Sequence, residues 1–583
     1  MNMKETMVET DVLVIGGGGA GLRAALEAER SGARVAVVAK GKLGSSGCTA
    51  KSVSELSAYS CSLGHADPRD TPYLHFRDTV DQGRKCANQR LVRILAQEAP
   101  KRFLEIVEMG GRFRKVGDKY EQFLADASTL PRACHNGADT GREIASTLMK
   151  ACQKRERIIQ LEDILITKLL SHQGTVVGAF GLDLKHETFV TLKAKSTVLA
   201  TGGGGQIFSL NAQPVDITGE GLCMAYDAGA ELVNMEFIQI GPALVHPIKG
   251  YLLVTRFWRL NPRLTNGRGE SFLSEYLPSG LSERDVIEAK QFAFPFIVGY
   301  PAMHLDIAMH KEIKEGRGTE HGGVYLDVSH NRAEEIEKMV PVTFQWLLER
   351  GIDIRKQPVE VAPVVQCFIG GVKFDEKGRT NLPGLFVCGE VGGGEHGAAR
   401  PGGNLLAGSQ VFGAIAGQSA AGRALAIETV RLEPGQAEEE KKRLTLKITG
   451  EKNADPVLDQ VRKLLWDHVS VVRREESLRE TLAALRRLKA EVVPKLGASD
   501  FKGLSRVLFT ETAIDLGLLV TLAALLRSES RGTHYREDLP QTDHYRWNRV
   551  IQVRKSGNQT IASLIDPVEI DDFYREEEVL FNG

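Results

Sequence analysis

The chain opens on an apolar, β-branched run, Asp11-Val12-Leu13-Val14-Ile15, without polar alternation. That is the pattern of a strand buried on both faces of a parallel sheet. Gly16-Gly17-Gly18-Gly19-Ala20-Gly21 follows and carries G-x-G-x-x-G at Gly16, Gly18 and Gly21. Leu22 to Arg30, rich in Ala, Glu and Arg, predicts a helix, and Arg34 to Ala39 predicts a second strand after Ser31-Gly32. A tight glycine turn between strand and helix lets backbone approach a pyrophosphate and aims a helix N-terminus at its charge. The unit therefore predicts dinucleotide binding. The acidic ribose ligand usual after the second strand is absent, and Ala39-Lys40 stands there instead. This rule alone leaves FAD, NAD and NADP open.

Three later segments favour FAD. Ser196 to Thr201 is a strand running into Gly202, Gly203, Gly204 and Gly205, and Thr218-Gly219-Glu220-Gly221 opens an Ala/Gly-rich helix. Thr380 to Glu390 reads as a strand ending in Gly389-Glu390, after which Gly402-Gly403-Asn404-Leu405-Leu406 leads into a helix, Ala407 to Ala421. The free N–H groups and positive dipole end of that helix suit negative charge on a reduced flavin. Further on, Ala437 to Lys442 reads as a polar linker. Leu458, Val461, Leu464, Leu465, His468, Val471 and Val472 then recur at helical spacing. They predict a packed amphipathic bundle, with partner docking as the alternative.

Composition narrows the class. At roughly 150 residues per domain, 583 residues predict about three or four units. Hydrophobic residues at 42% and charged residues at 26% are those of a soluble globular protein. Lys+Arg 74 against Asp+Glu 75 gives no support for a nucleic-acid partner. The eight Cys contain no C-x-x-C pair, so they read as reduced thiols, and the chain carries no iron–sulfur ligand run of its own. No signal peptide is visible in Met1 to Asp11. The apolar stretch Thr512 to Leu526 reads as too short and too charged to span a bilayer. A cytoplasmic chain is expected, with any membrane association made through a partner.

The order of motifs resembles the succinate dehydrogenase/fumarate reductase flavoprotein family, to which L-aspartate oxidase is related. It runs V-x-V-I-G-G-G-x-A-G, A-T-G-G, T-G-E-G, M-E-F-x-Q, E-R-D-V, G-L-F-V-C-G-E and H-G-A-x-R-x-G-G-N. Glu529 to Pro540 is similar to that family's S-R-G-x-H-x-R-x-D-x-P. The resemblance covers about Val8 to Trp547. It implies an α/β fold: a Rossmann-like FAD-binding domain (1–236 and 358–430), an inserted α+β capping domain (237–357), a C-terminal helical domain (431–545) and a tail (546–583). It also implies that FAD is held by Gly16, Gly18, Gly19, Ala20, Gly21, Ala39, Lys40, Ser45, Ser46, Gly47, Thr201, Gly202, Gly203, Glu220, Glu390, Asn404, Leu405 and Leu406.

In this family a hydride passes between flavin N5 and one carbon of a carboxylate-activated C–C bond, and Arg supplies or takes the proton. Arg284 matches the proton-donor position, Arg400 the carboxylate clamp and Thr255 a hydroxyl on the second carboxylate. An Arg acting as an acid is chemically awkward, so Arg284 requires a shifted pKa. Four positions depart from the pattern. The carboxylate-binding His of M-E-x-x-Q-x-H-P-T is Gly241, the second substrate His is Gln366, and the relay Glu after Thr255 is Arg256. No His lies in Gly44 to Ala50, where respiratory members tether the flavin, so FAD is expected to be non-covalent. No metal ligands are assigned.

Each lost charged contact costs about 1.5–3 kcal/mol. Two lost His contacts therefore weaken an ordinary C4 dicarboxylate by roughly 150-fold or more. Lys249, Arg256, Arg259, Arg263 and Arg268 add positive charge to one stretch, which suits a bulkier carboxylate, an acyl-CoA, a sulfonate or a phosphate. The expected partners are thus a small anionic organic substrate and an iron–sulfur or other electron-transfer subunit. The alternatives are an L-aspartate oxidase-like amine oxidase and a non-catalytic FAD electron-transfer subunit.

Overall fold

In the computed structural model, residues 5–51, 54–448 and 452–570 are described. Residues 1–4 of the polar N-terminus and 571–583 of the tail lie outside them. Val12, Leu13, Val14 and Ile15 are buried, as their unbroken apolar run demands. They belong to a longer strand, Glu5–Ile15, flanked in parallel by Val35–Val38 and Thr188–Leu199. Ile158–Leu161 extends the sheet in parallel at one edge. At the other, Thr175–Asp183 and Ile164–His172 pair antiparallel, while Leu385–Val387 pairs in parallel with the end of Thr188–Leu199. The strand predicted over Thr380 to Glu390 is thus only Leu385–Val387 long, and Gly389-Glu390 lie beyond its end.

Two helices cover the sheet beside the glycine turn. Gly19–Arg30 buries Leu22, Ala24, Ala25, Leu26 and Ala28 and packs on Asn404–Leu425. The contact is close because Gly417 has no side chain: a Cβ there would lie 2.2 Å from the Ala24 carbonyl oxygen.

The inserted segment forms its own antiparallel sheet, in the order Tyr251–Leu252, Ile238–His246, Val359–Phe368, Val324–Asp327 and Arg263–Thr265. A separate hydrophobic core around Trp258, Phe257, Leu305 and Leu326 supports it. Val359–Phe368 lies past the expected 357/358 boundary yet pairs within this cap sheet.

Three regions differ from the sequence reading. The polar linker is a helix, Gln436–Lys447, started by Gly435 at φ +94 and by Glu438 and Glu439 in its first turn. Leu444 is fully buried, with Ala437 packed beside it in the same core, and Arg443 bridges Glu440 and Glu511, so charged spacing hid the helix. The apolar stretch ending at Leu526 belongs to a 26-residue helix, Phe501–Leu526, long and apolar enough to cross a membrane. In this fold it is a core helix, with 78% of its apolar window buried. The tail also carries structure: Val550–Ser556 and Gln559–Ile565 form a hairpin that joins Leu232–Val233, Gly371–Lys373 and Gly392–Gly393 in one sheet. Leu458, Val461, Leu465, Val471 and Val472 are buried in the helical bundle, and Leu464 and His468 are half-buried.

Candidate active site

A cavity of about 500 Å³ opens between the glycine turn, the cap and the start of the helix Asn404–Leu425. Gly16 adopts φ +119, and a Cβ on it would lie 2.1 Å from the Ala200 carbonyl oxygen. Only glycine fits the turn. Beyond it the helix Gly19–Arg30 begins without a side-chain cap from Gly18; the Gly19 amide donates to the Thr49 hydroxyl at 3.3 Å, and this helix start lies beside the cavity. Gly18, Gly19, Ala20, Ala39, Lys40, Ser46, Gly47, Thr201 and Gly202 all line the cavity. Lys40 donates to Glu220 (2.8 Å) and to Thr218. This brings the cation after the second strand together with a carboxylate that also lines the wall.

At the opposite wall, Gly403 (φ +85) starts the helix Asn404–Leu425, again without a side-chain cap, and Leu405 and Leu406 face the cavity. Glu390 accepts from Gln213 Nε2 at 2.6 Å and from the Phe368 amide at 3.0 Å, and burial raises its pKa. Four expected cofactor positions stand outside the cavity lining. Ser45 is exposed. Gly21 instead gives room to the Gly16 carbonyl, and Gly203 gives room to Glu390. The Asn404 side chain turns away to donate to Thr79 and pair with His75.

Arg400 is buried, its Nη1 donates to the Pro401 carbonyl, and its Nε has no partner. Gln366 also faces the cavity with its Oε1 buried and unpartnered. The C-terminal motif sits directly behind this loop. The Thr533 amide donates to Ala398 O (3.0 Å), and Gly532 O accepts from the Val298 amide of the cap (2.8 Å). Buried Arg527 bonds both Glu236 and Glu529 and ties the end of the helix Phe501–Leu526 to the connection between Leu232–Val233 and Ile238–His246. Glu529 to Pro540 therefore backs the loop that carries Ala398 and Arg400.

Thr255 and Arg256 line the cavity on the short helix Thr255–Trp258, with Arg259 one turn further. Lys249, Arg263 and Arg268 do not line it. Arg284 does not either. It lies on the helix Glu283–Lys290 with its side chain 81% exposed and bonded to Glu288 at 2.6 Å. Glu288 raises its pKa, the opposite of what a proton donor requires. The reason is the register of that helix: Lys290 points inward and forms a fully buried pair with Asp306, which turns Arg284 to solvent.

Two cavity residues carry no motif and escaped sequence reasoning. Asp126 faces the cavity near Arg400 and Lys290; burial outweighs both cations and pushes its pKa up to about 6. Phe294 fills the space over Gly241, where a Cβ would come within 2.7 Å of the ring. An aromatic ring from the cap thus replaces the expected His. The unpartnered Thr201, Gln366 and Arg400 atoms, the glycine cradle and two uncapped helix starts suit an extended, anionic, hydrogen-bonding cofactor, and FAD fits them.

Comparisons with known proteins agree. Residues 11–406 match the FAD binding domain family, and residues 458–579 match the Fumarate reductase flavoprotein C-term family. One subunit of the fumarate reductase (CoM/CoB) of Methanothermobacter marburgensis is 37% identical over 566 residues, covering 95% of this chain and 98% of that protein. L-aspartate oxidase of Synechocystis sp. is 30% identical over 561 residues, covering 91% and 95%. The structure of Sdh1 from Mycobacterium smegmatis superposes with a TM-score of 0.85 at 32% identity, covering 96% and 94%. The chain belongs to the succinate dehydrogenase/fumarate reductase flavoprotein family, a family of FAD-dependent oxidoreductases.

Proposed function

We propose that this flavoprotein catalyses the addition or removal of hydrogen across a carboxylate-activated C–C bond of an organic acid other than a C4 dicarboxylate. The observation that carries this reading is the pairing of Arg400 with Phe294 in one cavity. A guanidinium can grip one carboxylate, while an aromatic ring stands where a ligand for the second is expected. Leu124, Leu252 and Val254 continue the apolar wall, so the substrate is a monocarboxylate with a bulky substituent. When bound, FAD supplies the hydride-exchanging chemistry.

The chain's own residues supply the rest. Gly16, Gly18, Lys40, Glu220, Thr201 and Glu390 hold the cofactor without a covalent tether. Arg400 binds and orients the carboxylate, with Thr255 and Gln366 as hydrogen-bonding neighbours. Arg256 and Arg259, both exposed at the cavity, attract the anion. Asp126 holds the proton destined for the carbon beside the carboxylate, a role for which a pKa near neutrality is suited.

A pH consequence follows. Reduction needs Asp126 protonated, so the reductive rate is highest below about pH 6 and falls as pH rises through that value. The oxidative rate does the reverse. Asp126→Asn is expected to remove this limb from the pH–rate profile and to lower kcat by about 10²–10⁴-fold.

The function is tested by anaerobic purification followed by a screen of acids that bleach or reoxidise the flavin. Aryl- or alkyl-substituted unsaturated acids are expected to turn over. Fumarate or succinate turning over with a micromolar-to-millimolar KM would sink the reading. The likeness to L-aspartate oxidase favours amine oxidation as a second reading, and peroxide formed from L-aspartate would support it. Electrons pass to or from an iron–sulfur subunit or soluble carrier, because the chain has no C-x-x-C relay of its own. Co-purifying subunits test this. The domain divisions at 236/237 and 430/431, with the cap extended through the strand Val359–Phe368, and a cytoplasmic location with membrane contact through the partner complete the proposal.

A further inference from the structure

A second cluster of ligand-type side chains lies on the cap, and none of its members lines the flavin cavity. His246 ends the strand Ile238–His246 and pairs directly with Glu360 across the neighbouring strand. His321 comes from the turn between Thr319 and Gly323, which the Thr319 amide closes by donating to the Gly323 carbonyl at 2.7 Å. The two imidazoles stack at 3.7 Å between centroids and 19° between planes. His321 Nδ1 meets Glu360 Oε1 at 2.9 Å, and one donor atom from each of the three residues lies within 4.8 Å of the others.

We propose that His246, His321 and Glu360 form a divalent transition-metal site on the cap, with zinc(II) as its best-suited ion. Two imidazoles and one carboxylate are a borderline-soft nitrogen and oxygen set, which selects zinc-like ions over calcium or magnesium. Ligand bonds of about 2.0–2.2 Å in a tetrahedron put donors about 3.3–3.5 Å apart. Binding requires the two exposed rings to unstack and tilt so that the in-plane lone pair of each points at one ion. The carboxylate is already oriented, because its other oxygen accepts from the Thr319 hydroxyl and leaves Oε1 for the ion. A bound ion replaces the proton shared between His321 and Glu360. It also pins the Thr319–Gly323 turn to the strand that leads into the segment carrying Thr255 and Arg256.

The test uses tag-free, FAD-loaded, full-length protein stripped with EDTA, dialysed and equilibrated with zinc chloride, with bound zinc counted against flavin. One zinc per chain is expected for the wild type and for His330→Ala, an exposed histidine elsewhere on the cap. His246→Ala, His321→Ala and Glu360→Gln are each expected to lose affinity by at least about tenfold, the least that even outer-shell losses cost. Zinc K-edge fine structure of the wild type is expected to contain two imidazoles and needs no variant to fold. Absence of retained zinc, equal retention by the His246→Ala/His321→Ala double variant, or an edge without imidazole scattering overturns the site.

Discussion

Gly16→Val yields a colourless protein. The backbone at Gly16 stands at φ +119, which a β-branched residue adopts only with strain. The added Cβ would sit 2.1 Å from the Ala200 carbonyl oxygen, at the C-terminal end of the central strand. Neither neighbour can yield, because Ala200 N donates back to Ile15 O at 2.8 Å within the parallel sheet. The turn must therefore open, and the N–H groups at the start of Gly19–Arg30 lose their aim at the pyrophosphate. A loss of about 3 kcal/mol or more weakens FAD binding by at least about 100-fold. FAD titration with flavin fluorescence as readout measures it. Gly18→Ala is the matched comparison: nothing lies within 4 Å of a Cβ there, so the protein folds and only cofactor affinity falls. Equal FAD affinity for Gly16→Val and wild type would remove the glycine turn from the cofactor site.

Arg400→Lys lowers kcat/KM by about 10²–10³-fold while the flavin stays bound. Arg400 offers a buried, planar fork with a free Nε, and the Thr533–Ala398 bond behind it holds the loop still. Lysine keeps the charge but presents a point donor on a flexible stem, which cannot hold both oxygens of a carboxylate. The loss should therefore fall on kcat as well as KM, because the clamp aligns the reacting carbons. Single-turnover flavin reoxidation against steady-state rates separates the two. Arg284→Ala distinguishes the arrangement seen here from one in which the cap helix turns inward. With Arg284 bonded to Glu288 in solvent, its removal leaves kcat unchanged; a loss comparable to that of Arg400→Lys would mean that the cap closes over the substrate.

The first βαβ unit was legible from residues alone, since an apolar run, a glycine cluster and an alanine-rich segment each have one inexpensive local structure. The expected Leu22 to Arg30 helix is the body of Gly19–Arg30, and Ala407 to Ala421 the body of Asn404–Leu425. Boundaries moved outward where uncapped glycines start helices that only tertiary packing stabilises. The helix Gln436–Lys447 stayed hidden because charged pairs and a buried leucine with Ala437 beside it, rather than an apolar stripe, hold it. Among the site residues, Arg400, Gln366 and Thr255 were found through motifs and do line the cavity. Arg284 sits in an equally good motif and does not, because the buried Lys290–Asp306 pair sets the helix's rotation. Nothing in Leu124-Ala125-Asp126 marks an acid whose pKa rises to about 6.

The order of amino acids by itself determined the glycine turns, the apolar strands and a dinucleotide as the cofactor type, because these depend on backbone sterics and on neighbours a few residues away; the choice of FAD needed motifs far apart in the chain. The tertiary structure alone decided which charges line the cavity. Asp126 reaches Arg400, and Phe294 covers Gly241, only when segments distant in the chain pack together. Burial, which raises the pKa of an ordinary carboxyl or makes a phenyl group a pocket wall, is a property of that packing and of no local stretch of chain.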